Sequence, residues 1–337
     1  MNRFSYAKAS TWDEAQALLG DRRFSLPVLK GGGLDLLDQM KEGILEPDLL
    51  IDVRGAREGP EGDQDSWTFH TAHGTSVMLP ATMTLATLAE HPALREAAPV
   101  LAQAAESAAT PQVRNVATIA GNLLQRPRCW YFRHDEFNCL KKGGSTCFAV
   151  DGENQHHAIF GGGPCHIVHP SNLAVALQVL GASLSTSGAD RQIRLADIYH
   201  LPERGVRTEH HLPDKTCITH INCESAPVSG FYAIKHKQSF DWPIVMAAVA
   251  LTVEANRITA ANVCAGAVAP IPWPLPRVAE ALVGVATTDD AAIGRACALA
   301  SDGATPMSQN AYKVRLLPVA VQRAVLRALG RLPEELL

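Results

Sequence analysis

The chain has 337 residues, and none of the first 128 is a cysteine. It has no apolar run long enough to span a bilayer. The longest, IVMAAVALTV (244–253), is too short and follows directly on Pro243. The opening MNRFSYAKAS lacks the apolar core of a secretory signal. The expectation is a cytoplasmic chain, with folded export to the periplasm beside a signal-bearing partner subunit as the alternative. Basic clusters are missing too: the 30 Lys and Arg are scattered and the net charge is −4, so no nucleic-acid partner is expected. Eight cysteines are too few for a disulfide scaffold, and paired bridges are not expected without a secretory signal. No nucleophile stands beside a base in a catalytic pattern, and the adjacent Asp135 and Glu136 read as solvated. Apolar residues make up 47% of the chain, enough for real cores, and the length suits two or three domains.

Several segments carry a clear local pattern. SLPVLK (25–30) reads as a buried strand and GGG as its break. LDLLDQMK (34–41) has helical apolar spacing, Gly43 suits its end, and DLLIDV (48–53) reads as the next strand. AREGPEGDQDS (56–66) reads as a loop and a first boundary. Residues 84–107 read as helix broken at Pro92 and Pro99; 169–186 as a helix, a turn at Gly181 and a strand; TCITHI (216–221) as a strand. GFYAIKHK (230–237) and AAVALTVEA (247–255) read as antiparallel strands or a strand and a helix; ITAANVCAGAVAPIP (258–272) is strand-like and the last 60 residues are helical. The expectation is an α+β chain divided into 1–56, 57–226 and 227–337.

Two loops point to a cofactor. KGGGLD (30–35) lies where a strand hands over to a helix, so backbone N–H groups can converge beside the positive end of a helix dipole. It is neither G-x-G-x-x-G nor a P-loop. ATIAGN (117–122) offers a hydroxyl, the amides near Gly121 and the Asn122 side chain. Two amide-rich loops can hold one extended pyrophosphate from both sides, which favours a dinucleotide such as FAD over a mononucleotide.

Cys129, Cys139, Cys147 and Cys165 fall within 37 residues, at spacings C-x9-C, C-x7-C and C-x17-C. No C-x2-4-C knuckle of structural zinc is present, nor either ferredoxin run, so spacing alone names no metal. The polar, glycine-rich segment suits close wrapping around a bound group at Gly143, Gly144 and Gly161 to Gly163. Lys141, Lys142, Arg126, Arg128 and Arg133 are placed to stabilise an anionic one, and Trp130, Tyr131 and Phe132 to shield it. His156, His157, His166 and His169 are nearby but are not required as ligands if four cysteines suffice. Cys217, Cys223, Cys264 and Cys297 read as buried thiols.

KGGGLDLLDQMK, TPQVRNVATIAGNL, HPSNLAVAL, GFYAIKHKQSFDWPIVMAAVAL, CAGAVAPIPWP and NAYKVRLLPVAVQRAV together carry a resemblance over nearly the whole chain. In this order they resemble the FAD-binding medium subunits of molybdenum hydroxylases, the xanthine dehydrogenase and carbon monoxide dehydrogenase family. With four cysteines between the second and third motifs, the chain looks most like the iron–sulfur-bearing members from bacterial periplasmic-type aldehyde oxidoreductases. The resemblance implies a vanillyl-alcohol-oxidase-type (PCMH-type) fold: two α/β subdomains around FAD, then a C-terminal α+β domain of the CO dehydrogenase flavoprotein type. It implies FAD contacts at Lys30, Gly31, Gly32, Gly33, Leu34, Asp35, Thr110, Thr118, Gly121, Asn122, Asn172 and Lys235. Leu34 stands where the family often has a hydroxyl residue or His, and Asn172 where it commonly has Asp. The resemblance further implies a [4Fe–4S] cluster on the four cysteines, in an insertion at about 125–168. Zinc is the competing metal.

This chain is too short for a molybdenum-binding portion and lacks the pattern for [2Fe–2S] clusters, so both are expected on partner subunits. The implied function is electron transfer in a heterotrimeric aldehyde oxidase, from the partner's clusters to an external acceptor. The alternatives are the same subunit serving a purine, an aromatic CoA thioester or CO, and a flavin-free metal-binding scaffold.

Overall fold

The computed structural model of the protein describes residues 1–57, 69–71, 75–187, 189–237 and 240–336; most of the loop expected at 56–66 lies outside the described residues. The first sheet is wholly parallel. β1 (Ser5–Lys8) leads through α1 (Trp12–Leu19) to β2 (Pro27–Lys30), and α2 (Leu34–Lys41) leads to β3 (Leu49–Asp52); the strand order is β1-β3-β2. The LLID of β3 is central and buried throughout. Parallel pairing requires crossover connections, and the two helices supply them. Asp35 in the first turn of α2 and Lys41 in its last complement the helix dipole.

The second sheet is antiparallel. β4 (Phe69–Thr71), β5 (Thr75–Pro80), β6 (Ser183–Thr186), β7 (Ala189–Arg194) and β8 (Ile218–Glu224) lie in the order β4-β5-β8-β6-β7. Between β5 and β6 run α3 (Leu85–Glu90), α4 (Pro92–Ala97), α5 (Pro99–Glu106), α6 (Pro111–Arg114), α7 (Ile119–Leu123), α8 (Trp130–Arg133) and α9 (Asn172–Val179); α10 (Leu195–Ile198) follows β7. Pro92 and Pro99 do break the helical stretch, because each sits at the start of a new helix, where a missing N–H costs nothing.

The third sheet pairs β9 (Ser229–Lys235), β10 (Pro243–Glu254), β11 (Arg257–Gly266) and β12 (Trp273–Pro274), all antiparallel. α11 (Pro276–Leu282), α12 (Asp290–Ala298) and α13 (Tyr312–Ala328) follow. β10 is a strand, not a helix, and its apolar run does not alternate because both faces are covered. Val245, Ala247, Val249 and Leu251 enter the core with α13. Met246, Ala248 and Ala250 enter the core shared with α5 and α9. The third sheet is thereby welded to the first two-thirds of the chain. No described helix is long and apolar enough to cross a membrane.

The segment from Leu124 to Ser171 contains no sheet strand and no helix longer than α8. Side chains from the start of α13 grip its middle. Asn310 Nδ2 donates to His157 O (3.0 Å) and Ala158 O (3.1 Å), and Tyr312 OH to Gln155 O (2.8 Å). The buried Lys313 ammonium donates to His156 O (2.9 Å), His157 O (3.1 Å) and Ala267 O (2.8 Å). Burial pushes Lys313 down to about 7, against roughly 10.4 in an unfolded chain. Between those values the unfolded chain binds more protons, so stability rises with pH there. In urea melts, the stability difference between wild type and Lys313→Met is expected to shift in favour of wild type from about pH 6.5 to about pH 9.5. A difference that stays constant with pH contradicts this.

Candidate cofactor cavity and cysteine pocket

β2 ends at Lys30 and α2 begins at Leu34, so Gly31 to Gly33 form the whole connection. Gly33 has φ +79°, a left-handed conformation that favours glycine. A Cβ on Gly32 would stand 2.2 Å from Val116 O, and one on Gly31 2.7 Å from Thr118 Oγ1. The glycine loop therefore lies directly on the 110–122 loop, and the two form a single wall. Thr110 caps α6, its hydroxyl accepting from Val113 N–H (3.3 Å); Thr118 caps α7, accepting from Gly121 N–H (3.2 Å).

A cavity of about 810 Å3 opens on this wall, a size typical of small-molecule and cofactor sites. Lys30, Gly31, Gly32, Gly33, Leu34, Asp35, Thr110, Thr118, Gly121 and Asn122 all line it. Asn172 also lines it, buried, with Nδ2 donating to Ala104 O (3.3 Å). Lys235 does not. Its ammonium donates to Ser107 O (2.6 Å), and Ser107 lines the cavity.

Two expected contacts have other principal partners. The Lys30 ammonium pairs with buried Asp52 (3.1 Å), which also takes Arg54 (2.7 Å) and the Tyr6 hydroxyl (2.6 Å). The Asp35 carboxylate faces the cysteine segment: it meets Arg133 (2.7 Å), Arg128 (3.0 Å) and the backbone N–H of Arg126 (3.0 Å).

The cavity also takes in Arg126 and Arg128, expected from the sequence beside a group bound by the cysteines, and Trp12, Gln39, His210 and Trp242, none of which was expected as a cofactor contact. Arg128 lies over the Trp242 ring at 4.8 Å, closing a mouth where Phe240 and Trp242 are exposed. The repeated aromatic–polar pattern QSFDWP was the available signal. Three buried atoms on lining residues, Gln39 Oε1, Arg128 Nε and His210 Nδ1, have no hydrogen-bond partner among the described residues. Unpaired buried polar atoms are costly, and a polar cofactor relieves that cost.

The four cysteines, scattered over 37 residues, line one small pocket with Tyr131, Phe132, Lys141, Phe148 and His157. Gly144 permits the tight turn after Cys139: a Cβ there would overlap Asn138 O. The Cys147 and Cys165 thiols influence each other, which draws Cys147 down and pushes Cys165 up. Burial pushes Cys129 up to about 11, and its sulfur lies 3.3 Å from His157 Nε2. Four thiolates could not share this pocket without a bound cation. Among the described residues, no group of three or more Cys, His, Asp or Glu is arranged to hold a metal ion. Cys217, Cys223, Cys264 and Cys297 are buried elsewhere.

Four of the five cations expected to face a bound anion are paired with acids. Arg133 and Arg128 are paired with Asp35, and Arg133 also with Asp38 (2.8 Å). Arg126 (3.0 Å) and Lys141 (2.5 Å) are paired with Glu209. Burial opposes the Glu209 charge, but Lys141 and Arg126 outweigh it and hold the carboxyl below its usual value. Lys142 donates to His134 O. Lys141 alone of these five lines the cysteine pocket.

A two-loop cavity and a separate pocket lined by four thiols mark a cofactor-holding protein, and comparison with known proteins identifies the cofactor of the first. Residues 2–222 match the FAD binding domain in molybdopterin dehydrogenase, and residues 230–328 the CO dehydrogenase flavoprotein C-terminal domain. The chain is 33% identical to the aldehyde oxidoreductase FAD-binding subunit PaoB of Escherichia coli, over 81% of this chain and 84% of that one. It is 29% identical to the nicotinate dehydrogenase FAD-subunit of Eubacterium barkeri, over 36% of this chain and 39% of that one. The fold matches a chain of the reconstituted CO dehydrogenase from Oligotropha carboxidovorans with a TM-score of 0.73, at 23% identity over 98% of this chain and 99% of that one. The chain belongs to the family of FAD-binding medium subunits of molybdenum hydroxylases, and it is an oxidoreductase flavoprotein subunit.

Gly32→Ala is expected to force Val116 away from the glycine loop, at a cost of about 1–3 kcal/mol, and to weaken FAD retention. Thermal melting and flavin content after gel filtration check this; wild-type values for both contradict it.

Proposed function

We propose that the glycine-walled cavity holds FAD, that the cysteine pocket holds a [4Fe–4S] cluster, and that the chain is the electron-transfer subunit of a heterotrimeric molybdenum-dependent aldehyde oxidoreductase. The observation that carries the reading is the meeting of four sequence-distant cysteines in one pocket, joined by Asp35 to the FAD wall. Cys129, Cys139, Cys147 and Cys165 all line that pocket and would hold a cluster there. When bound, FAD supplies paired and single electron chemistry, and the cluster single-electron chemistry.

This chain's own residues then bind, orient and exclude water. The amides of Gly31 to Gly33 and the start of α2 would hold the pyrophosphate, with Thr118, Gly121 and Asn122 beside them on the same wall. Ser171 fixes Asn122, its hydroxyl donating to Asn122 Oδ1 (2.6 Å). Cys129, Cys139, Cys147 and Cys165 ligate the cluster, while Tyr131, Phe132 and Phe148 keep water from it. The division at 1–56, 57–226 and 227–337 corresponds to two FAD-embracing subdomains and a C-terminal domain. A large molybdenum subunit, a small [2Fe–2S] subunit and an external acceptor complete the system. Aldehyde is favoured as substrate because the match to the aldehyde oxidoreductase subunit spans 81% of the chain, against 36% for the nicotinate and CO dehydrogenase relatives.

Chemical analysis tests this. Purified subunit is expected to carry about one FAD, four irons and four acid-labile sulfides. Stoichiometric zinc without labile sulfide contradicts the cluster, and an absorption spectrum without flavin bands contradicts the FAD assignment.

A further inference from the structure

The inference rests on the FAD and cluster assignments above. Asp35 is the second residue of α2, just past the glycine loop, and it lines the FAD cavity. Apart from Gln39 Nε2 (2.8 Å), its hydrogen-bond and ion-pair partners among the described residues all belong to the stretch around Cys129. Arg126 and Arg128 precede that cysteine and Arg133 follows it. Arg133 also donates to Pro127 O (2.8 Å) and Arg126 O (3.0 Å), closing 126–133 into a compact loop. The Asp35 and Arg133 side chains are only 15% and 12% exposed. Their attraction is thus less screened than that of a surface pair.

We propose that Asp35 is a positioning residue that couples the two sites, so that a filled cysteine pocket tightens FAD binding and bound FAD helps retain the cluster. The physical reason is a shared ordering cost. Ligating Cys129 fixes the 126–133 loop, and that loop fixes the α2 N-terminus through Asp35. FAD then meets a wall already in place, and by linkage the benefit is mutual. The arginines also neutralise Asp35, a carboxylate that would otherwise stand unpaired beside a pyrophosphate. The loop therefore serves the flavin site electrostatically as well as sterically.

The test titrates FAD into flavin-depleted full-length chain, followed by flavin fluorescence, in cluster-loaded and chelator-stripped forms of wild type and Asp35→Asn. In wild type, stripping is expected to raise the FAD Kd by about fivefold or more. In Asp35→Asn the Kd is expected to be raised already, with stripping adding little. Asp35→Glu, which keeps the charge, is expected to restore part of the difference. If Asp35→Asn does not fold, Arg133→Gln tests the same pair from the cysteine side. Stripping that raises Kd by the same factor in wild type and variant overturns the coupling alone. A wild-type chain with flavin but neither iron nor labile sulfide overturns the cluster assignment and the coupling with it.

Discussion

The Asp35 carboxylate is shared between Arg128, Arg133 and the backbone N–H of Arg126, and this junction sets the geometry of everything around it. On one side lies the glycine loop, which cannot carry Cβ atoms at its first two positions without striking the 110–122 loop. On the other lies a long segment without sheet structure that carries four cysteines. Such a segment has no hydrogen-bond ladder to fix it. Glu209 supplies a second anchor, buried between Arg126 and Lys141, and the start of α13 a third through Asn310, Tyr312 and Lys313. Buried ion pairs contribute little net stability because desolvation offsets much of their attraction. They do restrict geometry, and here they restrict where the cysteines stand relative to the flavin wall.

The third sheet gives this arrangement a rigid backing. β10 is apolar on both faces, so the C-terminal part of the chain shares a core with α5 and α9. That placement brings Trp242 to the cavity mouth, where Arg128 reaches it from the cysteine segment. One arginine thus touches α2 through Asp35 and the C-terminal domain through Trp242. The cavity, the cysteine segment and the connection leading into β10 meet at that side chain.

Much of this was legible in the sequence because it is local. The glycine loop, α2 and β3 follow from apolar spacing and turn residues, and the helix breaks at Pro92 and Pro99 from proline's missing N–H. β1 was not anticipated: it is a mostly exposed edge strand without an apolar run. α1 was missed although Thr11 and Glu14 carry a helix-start signature. The sequence was least informative where partners are distant along the chain. Arg126, Arg133 and Lys141 looked free to face an anion, but their acids are Glu209, Asp35 and Asp38, far away in sequence. Lys235, expected near the flavin, donates its ammonium to Ser107 O, 128 residues away in sequence. The NAYK motif was visible, but its work as a clamp on 155–158 depends on tertiary contacts that spacing does not encode.

The central claim is that one chain places a flavin and an iron–sulfur cluster on opposite sides of Asp35. Diffraction from crystals of the purified protein at the iron absorption edge tests it most directly. The account predicts a compact anomalous peak of several irons enclosed by Cys129, Cys139, Cys147 and Cys165, with flavin density in the glycine-walled cavity. A cysteine pocket without anomalous signal, or with a single zinc, beside a filled flavin cavity would contradict it.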